Sequence, residues 1–282
     1  MRFIKIKSYA KVNLSLNIIG KLKSKLHNIE SIVSFLDLHD ELYIKIIKSH
    51  DHKISFSGKF SKGIGSKNTI SKLLYMLDKK KLLNNQKFEI RVTKNIPQQS
   101  GMGGGSMNAS NVISFFLKKK IIQLKGSKLK NLANSIGSDV ILGVNKKNTI
   151  LCSNGKLKTF DKKLNFHVLV VKPNFGCSTK KIFSKVINYS KPLYSKPNKS
   201  FLNKETIINS SNDLEKIVFQ KYLKFRKLKS FLLKLPNSLF IRMTGSGSSI
   251  VVYFQSKKAA VIGSKLFKKK LKSYWCIVSK TI

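Results

Sequence analysis

The feature that most constrains this 282-residue chain is the run Pro97-Gln-Gln-Ser-Gly-Met-Gly-Gly-Gly-Ser-Met-Asn-Ala-Ser110. It lies between a strand-like segment, Lys87 to Thr93, and a helix-like one, Asn108 to Lys118. Residues without a Cβ let the backbone turn sharply and bring N–H groups against an anion. A helix opening just beyond adds unpaired N–H donors and the positive end of its dipole. Strand, glycine turn and helix in that order make either a phosphate cradle or a plain tight turn. Two familiar nucleotide loops are excluded by spacing. Gly105 is followed by Ser106 and Met107 where a Walker loop needs Lys-Ser or Lys-Thr. Counting from Gly101, Ser106 takes the last place of the dinucleotide pattern Gly-x-Gly-x-x-Gly.

Organisation along the chain gives the loop its setting. Short β-branched or alternating runs at Phe3 to Ile6, Val12 to Ile19, Glu41 to Ile47, Lys87 to Thr93 and Asn148 to Ser153 read as strands. Helical spacing of Leu, Ile and Phe fits Thr69 to Asp78, Asn108 to Lys118 and Leu129 to Ile136. After Asn154-Gly155 a second set follows: a strand at Phe166 to Val171, helices at Lys180 to Tyr189 and Asp213 to Lys234, strands at Leu239 to Met243 and Ser249 to Phe254, and a basic helix from Lys257 to Leu271. Strands come first and helices are inserted late, which predicts an α+β fold in two domains, 1–154 and 155–282. Pro192 and Pro197 mark a polar loop of the kind that covers sites.

Charge is the second unusual property. Lys and Arg number 56 against 12 Asp and Glu, a formal charge of +44, which makes nucleic acid a partner to weigh. The lysines are scattered along the chain among abundant Ile, Asn and Ser, the pattern left by A- and T-rich codons, so no specific nucleic acid is expected. Cys152, Cys177 and Cys276 form no Cys-x-x-Cys pair, which argues against a zinc site or disulfide framework and suits a reducing cytoplasm. Met1 to Lys11 has no continuous apolar core of a signal peptide, and no run is long enough for a membrane helix. A soluble cytoplasmic protein is expected.

Three further segments bear on chemistry. Ser8-Tyr9-Ala10-Lys11-Val12-Asn13-Leu14 puts Lys11 and Asn13 two residues apart on a strand, hence on one face. An inward lysine needs a counter-charge. Asp139, one of few carboxylates and set in Ile136-Gly-Ser-Asp-Val140, is the candidate, although it would serve equally as a turn cap. Thr244-Gly245-Ser-Gly-Ser-Ser249 forms a second small-residue turn, between two strands.

Taken together, Ala10-Lys-Val-Asn-Leu14, the Pro97 to Ala109 loop, Gly137-Ser-Asp-Val140 and Thr244-Gly-Ser-Gly-Ser248 resemble, in order, the GHMP family of small-molecule kinases. His27 with Phe35-Leu-Asp-Leu-His-Asp40, and Ser211-Asn-Asp-Leu-Glu215, narrow the resemblance to members that act on a diphosphocytidyl methylerythritol. The resemblance implies a two-domain α+β fold with the active site in the inter-domain cleft. It further implies transfer of the γ-phosphoryl of ATP to the 2-hydroxyl of that small-molecule substrate, with Mg²⁺. On this reading Pro97, Gln98, Gln99, Ser100, Gly101, Met102, Gly103, Gly104, Gly105, Ser106 and Met107 form the ATP loop, and Ser106 is a candidate Mg²⁺ contact. Asp139 becomes the general base and Lys11 its orienting, charge-stabilising partner. Asn13, His27, Phe183, Thr244 and Gly245 become substrate contacts, with His27 reading the cytosine edge and Phe183 stacking on the base.

The pattern breaks in three places. Gln98, Gln99 and Ser100 stand where the family carries glycine, Met107 where it carries serine, and Leu26 where tyrosine commonly precedes His27. Two alternatives remain at this point: another GHMP kinase of homoserine or mevalonate type, and a non-catalytic nucleic-acid-binding protein on a related fold. The excess charge itself predicts weak retention on heparin or RNA at low salt that falls steeply as salt rises; retention that persists at high salt would contradict a purely electrostatic origin.

Overall fold

In β1 (Ile4–Lys21) the even positions Ala10, Val12, Leu14, Leu16 and Ile18 are apolar, and the odd positions Lys11, Asn13, Ser15 and Asn17 are polar. Both sets are buried. A strand with two covered faces can run on without a break, and β1 joins the two short segments expected from sequence into one. The computed structural model describes residues 2–22 and 26–282. β1 pairs with the still longer β2 (His27–Ile47), of which sequence periodicity anticipated only the final residues.

Contacts divide the chain into two compact units, each made of several segments, with β1 and β2 running through both. The first takes the segment ending at Lys11, Leu38–Gln98 and Gly103–Lys146. In it β4 (Lys87–Thr93) pairs antiparallel with residues 41–47 of β2 and parallel with β3 (Lys53–Ser57). The crossover between β3 and β4 is α1 (Thr69–Lys79). Its start is fixed by a capping box: Asn68 Oδ1 accepts from the N–H groups of Ile70 and Ser71, while Ser71 Oγ accepts from Asn68 N–H. Ile70, Leu73, Leu74 and Leu77 bury the stripe of α1 that faces the unit's core. There they meet Phe88, Ile90, Phe116 and the inner faces of α2 (Gly104–Lys118) and α3 (Gly126–Ile136). The short α4 (Val140–Gly143) completes the unit's helices.

One polar network is sunk in this unit. Asp40 is fully buried and its Oδ1 accepts from the backbone N–H groups of Asn95 and Ile96, both at 2.8 Å. Its Oδ2 takes Asn108 Nδ2 at 3.1 Å and the ammonium of Lys94, itself only 4% exposed. The network ties β2, the end of β4 and the first turns of α2 to one carboxylate.

The second unit contains Val12–Asp37, Gln99–Met102 and Lys147–Ile282. Residues 31–33 of β2 pair antiparallel with β5 (Asn148–Leu151), which pairs with β6 (Leu157–Phe160). A separate antiparallel sheet has the order β10-β7-β9-β8, made of β7 (His167–Lys172), β8 (Ser238–Met243), β9 (Ile250–Phe254) and β10 (Trp275–Lys280). Around it lie α5 (Thr179–Phe183), α6 (Lys204–Asn209), α7 (Leu214–Lys221), α8 (Leu223–Leu232) and α9 (Lys257–Lys270). The long helix expected over Asp213 to Lys234 is two helices, because Tyr222 adopts extended angles (φ −121°, ψ 95°) between them. The helix expected to reach Tyr189 stops at Phe183, and the chain then runs past Pro192 held by a buried carboxylate: Glu30 accepts from the N–H groups of Leu193 and Tyr194.

Removing the cation from the Asp40 network leaves a fully buried carboxylate without its counter-charge, an error that costs about 3–5 kcal/mol. Lys94→Met is therefore expected to lower the urea midpoint of unfolding by that amount of stability; an unchanged midpoint would show that the backbone donors alone suffice.

Candidate active site

Lys11 and Asp139 do meet. Lys11 Nζ lies 3.2 Å from Asp139 Oδ2, with side-chain exposures of 6% and 35%. Asp139 stands at the cap position of α4, yet its side chain makes no cap hydrogen bond and turns to the lysine instead. The turn-cap alternative is thus not what the carboxylate does. One oxygen faces a buried ammonium while a third of the side chain remains open to a ligand.

Next to this pair stands the amino end of α2. The helix begins at Gly104, four residues earlier than its apolar periodicity indicated, so Gly104, Gly105 and Ser106 are its first turn. Glycine's low helix propensity hid that start. The capping residue Gly103 sits at φ 65°, and no side chain caps the helix. The first N–H groups of the helix therefore have no acceptor one turn back, where an anion can take them. Gly103 is held against the Lys11–Asp139 pair: a methyl group on it would lie 3.0 Å from Lys11 Cγ and 3.6 Å from Asp139 Oδ2. A methyl group on Gly104 would lie 3.2 Å from Lys94 Nζ. Two ammonium groups thus border the same turn. Thr69 Oγ1 donates to Gly105 carbonyl at 2.7 Å and pins it from the outside.

Three loop members, Met107, Pro97 and Gln98, face elsewhere. Met107 is fully buried, its N–H donates to Gly103 carbonyl at 2.8 Å, and its sulfur packs where Gly143 leaves room for it. The side chain that replaces the family's serine is a packing element between α2 and α4. Pro97 is buried and has no N–H to give. Ser106 lies beside Gly137, whose added methyl group would come 3.5 Å from its hydroxyl. Gln98 reaches outward, its Nε2 donating to the carbonyls of Phe60 and Lys62 at 2.9 and 2.8 Å, and so ties the 58–62 turn to the loop.

The second unit holds the remaining candidates in two groups. Asn13 N–H donates to Thr244 Oγ1 at 3.1 Å, and its Oδ1 accepts from Gly245 N–H at 3.1 Å. Its Nδ2 donates to Ser31 Oγ at 2.8 Å. Asn13 thereby fixes the Thr244–Gly245 turn. The turn also grips the first part of the glycine loop: Thr244 Oγ1 donates to Gly101 carbonyl at 3.1 Å and Ser249 N–H to Ser100 carbonyl at 3.2 Å. Gly101, at φ 73°, has no room for a side chain, since a methyl group would fall 2.0 Å from Thr244 carbonyl. Asn212 Nδ2 supports the turn from behind, donating to the carbonyls of Met243 and Gly245 at 2.8 and 2.9 Å.

His27 and Phe183 form the other group, with ring centroids 5.1 Å apart and planes at 45°. Phe183 also packs on the unit's core, so it combines a core role with a ring offered to a neighbour. His27 Nε2 is buried without a hydrogen-bond partner among the described residues, an atom positioned for a ligand. Burial, with Lys21 adding to it, holds the imidazole below its ordinary value of 6.5, hence neutral. Leu26 beside it is exposed.

Lys94, Asp40 and Asn108 were not among the candidates raised from sequence. In a chain with 56 basic residues, one lysine just past a strand carries no signal. Only its burial against Asp40 distinguishes it. The residues present fit ATP: an uncapped 15-residue helix, a cradle that Cβ atoms would fill and two adjacent ammonium groups. Among the described residues no cluster of three His, Cys, Asp or Glu could hold a metal by itself.

Similarity to known proteins agrees with this geometry. The model of the GHMP kinases N terminal domain matches residues 68–155. The 4-diphosphocytidyl-2-C-methyl-D-erythritol kinase of Pelagibacter ubique (strain HTCC1062) is 56% identical over 282 residues, all of both chains. That of Clostridioides difficile (strain 630) is 30% identical, over 99% of this chain and 96% of its own. A crystal structure of 4-(cytidine 5′-diphospho)-2C-methyl-D-erythritol kinase superposes with a TM-score of 0.79 at 20% identity, covering 98% of this chain and 99% of that one. A mevalonate kinase of L. major shares the fold at a TM-score of 0.71 and 14% identity, over 99% and 95% of the two chains. The full-length identity, not the shared fold, separates these relatives, and the chain belongs to the 4-diphosphocytidyl-2-C-methyl-D-erythritol kinase family of GHMP kinases.

Proposed function

We propose that this chain transfers the γ-phosphoryl group of ATP to the 2-hydroxyl of 4-diphosphocytidyl-2-C-methyl-D-erythritol, a step of the non-mevalonate isoprenoid pathway. Beyond the family itself, one observation carries the mechanism: the Lys11–Asp139 pair beside the uncapped end of α2. Phosphoryl transfer asks a protein mainly to align two oxygens about phosphorus and to stabilise the charge that spreads over the transferred group. The N–H groups of Gly104, Gly105 and Ser106 and the helix dipole supply fixed positive potential for the ATP phosphates. Asp139 takes the proton of the acceptor hydroxyl as its oxygen bonds to phosphorus, and the bond to the β-phosphate oxygen breaks to release ADP. Lys11 holds the carboxylate in place and stabilises the negative charge developing on the hydroxyl. Ser106 would help to hold Mg²⁺ brought with the nucleotide, which would supply neutralisation of the phosphate charge. His27 and Phe183 recognise the cytosine, and Asn13, Thr244 and Gly245 frame the acceptor.

The end of the matched N-terminal domain at 155 supports a division of the sequence into an ATP-binding part, 1–154, and a second part, 155–282. No helix among the described residues is long and apolar enough to cross a membrane, and the three cysteines are free, which supports the cytoplasmic setting expected from sequence.

The test is ADP release by purified protein with ATP, Mg²⁺ and the acceptor. Asp139→Ala is expected to lower kcat by roughly 10² to 10⁴ while ATP binding persists, the range for loss of a general base. Turnover that survives this substitution would remove Asp139 from the mechanism. Because burial keeps His27 neutral below its ordinary range, acceptor affinity should stay flat as pH falls to 6.5 and decline only below it. An acid limb at or above 6.5 would contradict that assignment.

A further inference from the structure

Gln99 occupies a costly position. Its φ of 49° lies in the left-handed region, where a residue with a side chain is strained by about 1 kcal/mol or more relative to glycine. Its carbonyl is held there by Ser248, whose N–H donates to it at 3.4 Å. The side chain lies over Gly176: a methyl group on Gly176 would fall 2.3 Å from Gln99 Oε1. Gly176 is thus the residue that lets the glutamine lie where it does. The two residues wall a pocket of about 410 Å³, entirely within the second unit, together with Gly101, Ser178, Thr179 and Gly247. The Gln99 carboxamide makes no hydrogen bond to any described residue.

The chemistry of the pocket favours oxygen-rich anions. No carboxylate lines it. Cys177, also in its wall, is a neutral thiol, since burial pushes it up to about 11, while Lys172 and Lys221 lie close enough to act on it in the opposite direction. Hydroxyls of Ser178 and Thr179 complete the lining, with Thr179 Oγ1 2.8 Å from Ser246 Oγ. The pocket also has a fixed relation to the aromatic pair. Thr179 and Phe183 are the first and last residues of α5, one turn and about 6 Å apart along the same face. A pyrimidine held by His27 and Phe183 would lie one turn of α5 from Thr179, about 6 Å, a span that a 5′-diphosphate can bridge to the pocket.

We infer that the Gln99 carboxamide is a specificity-determining contact to the diphosphate of the acceptor, an inference that rests on the kinase reading above. Glycine at this position would relieve the backbone but offer the phosphates no donor.

Calorimetric titration separates the possibilities, with the acceptor, cytidine diphosphate and cytidine titrated in the absence of ATP and ATP titrated separately. Gln99→Gly removes backbone strain, so this variant folds. It is expected to bind the acceptor and cytidine diphosphate roughly tenfold more weakly, the loss of a hydrogen bond to a charged group, with cytidine and ATP unchanged. Gly176→Ala, which displaces the glutamine, should show the same pattern. Equal affinity of Gln99→Gly and the parent for the diphosphates would overturn the inference, as would equal weakening for cytidine or a loss confined to ATP. A parent protein that binds none of the three cytidine ligands would overturn the kinase reading itself and the inference with it.

Discussion

A lysine on the covered face of a strand is tolerable only with a counter-charge at hand, and Asp139 at 3.2 Å from Lys11 meets that requirement. The pair sets conditions on everything around it. Gly103 must be small because Lys11 Cγ lies against it, and α2 must begin immediately after, so its uncapped N–H groups arrive beside the carboxylate. The same unit carries a second buried lysine, Lys94, neutralised by Asp40 and bordering the same helical turn. Each ammonium is balanced within the protein, which leaves the helix end and its dipole as the field that an incoming polyphosphate meets. Electrostatic preorganisation of this kind is ready before substrate binds, so little reorganisation is needed during reaction.

The second unit follows a different logic. Its glycine-rich turn at Thr244 and the segment Gln99–Met102 are cross-linked by hydrogen bonds that use backbone and small hydroxyls, with Asn13 and Asn212 holding the turn from two sides. The substitutions that depart from the family pattern are accommodated by this scaffold and by the first unit. Gln98 uses its amide to tether the 58–62 turn, Met107 fills the space above Gly143, and Gln99 lies on Gly176. Three residues that look disruptive in a glycine loop thus each have a defined place, and none of them intrudes on Gly103 to Ser106.

Much of this was legible in the sequence because the informative residues are short-range patterns. The strand Lys87–Thr93 alternates cleanly and has those same limits in the structure. Helix α1 carries its own capping box and apolar stripe. The pairing of Lys11 with Asp139 was legible for another reason: carboxylates are so few here that a buried lysine has few candidates for a partner. Other features lie in long-range packing. β2 is long because both its faces are covered, so its central residues lose the alternation that marks a half-exposed strand. The break at Tyr222 interrupts a continuous helical pattern with no proline or glycine to announce it. Asp40 and Lys94 look like surface charges until the fold places them inside.

The central claim is that Lys11 and Asp139 act as one catalytic unit, and a double-mutant cycle on kcat with Lys11→Met and Asp139→Asn tests it directly. If the lysine works through the carboxylate, the double variant will be about as slow as the slower single variant, the strong non-additivity expected of residues that function together. Independent, multiplicative losses would contradict the account and show that the 3.2 Å contact is structural.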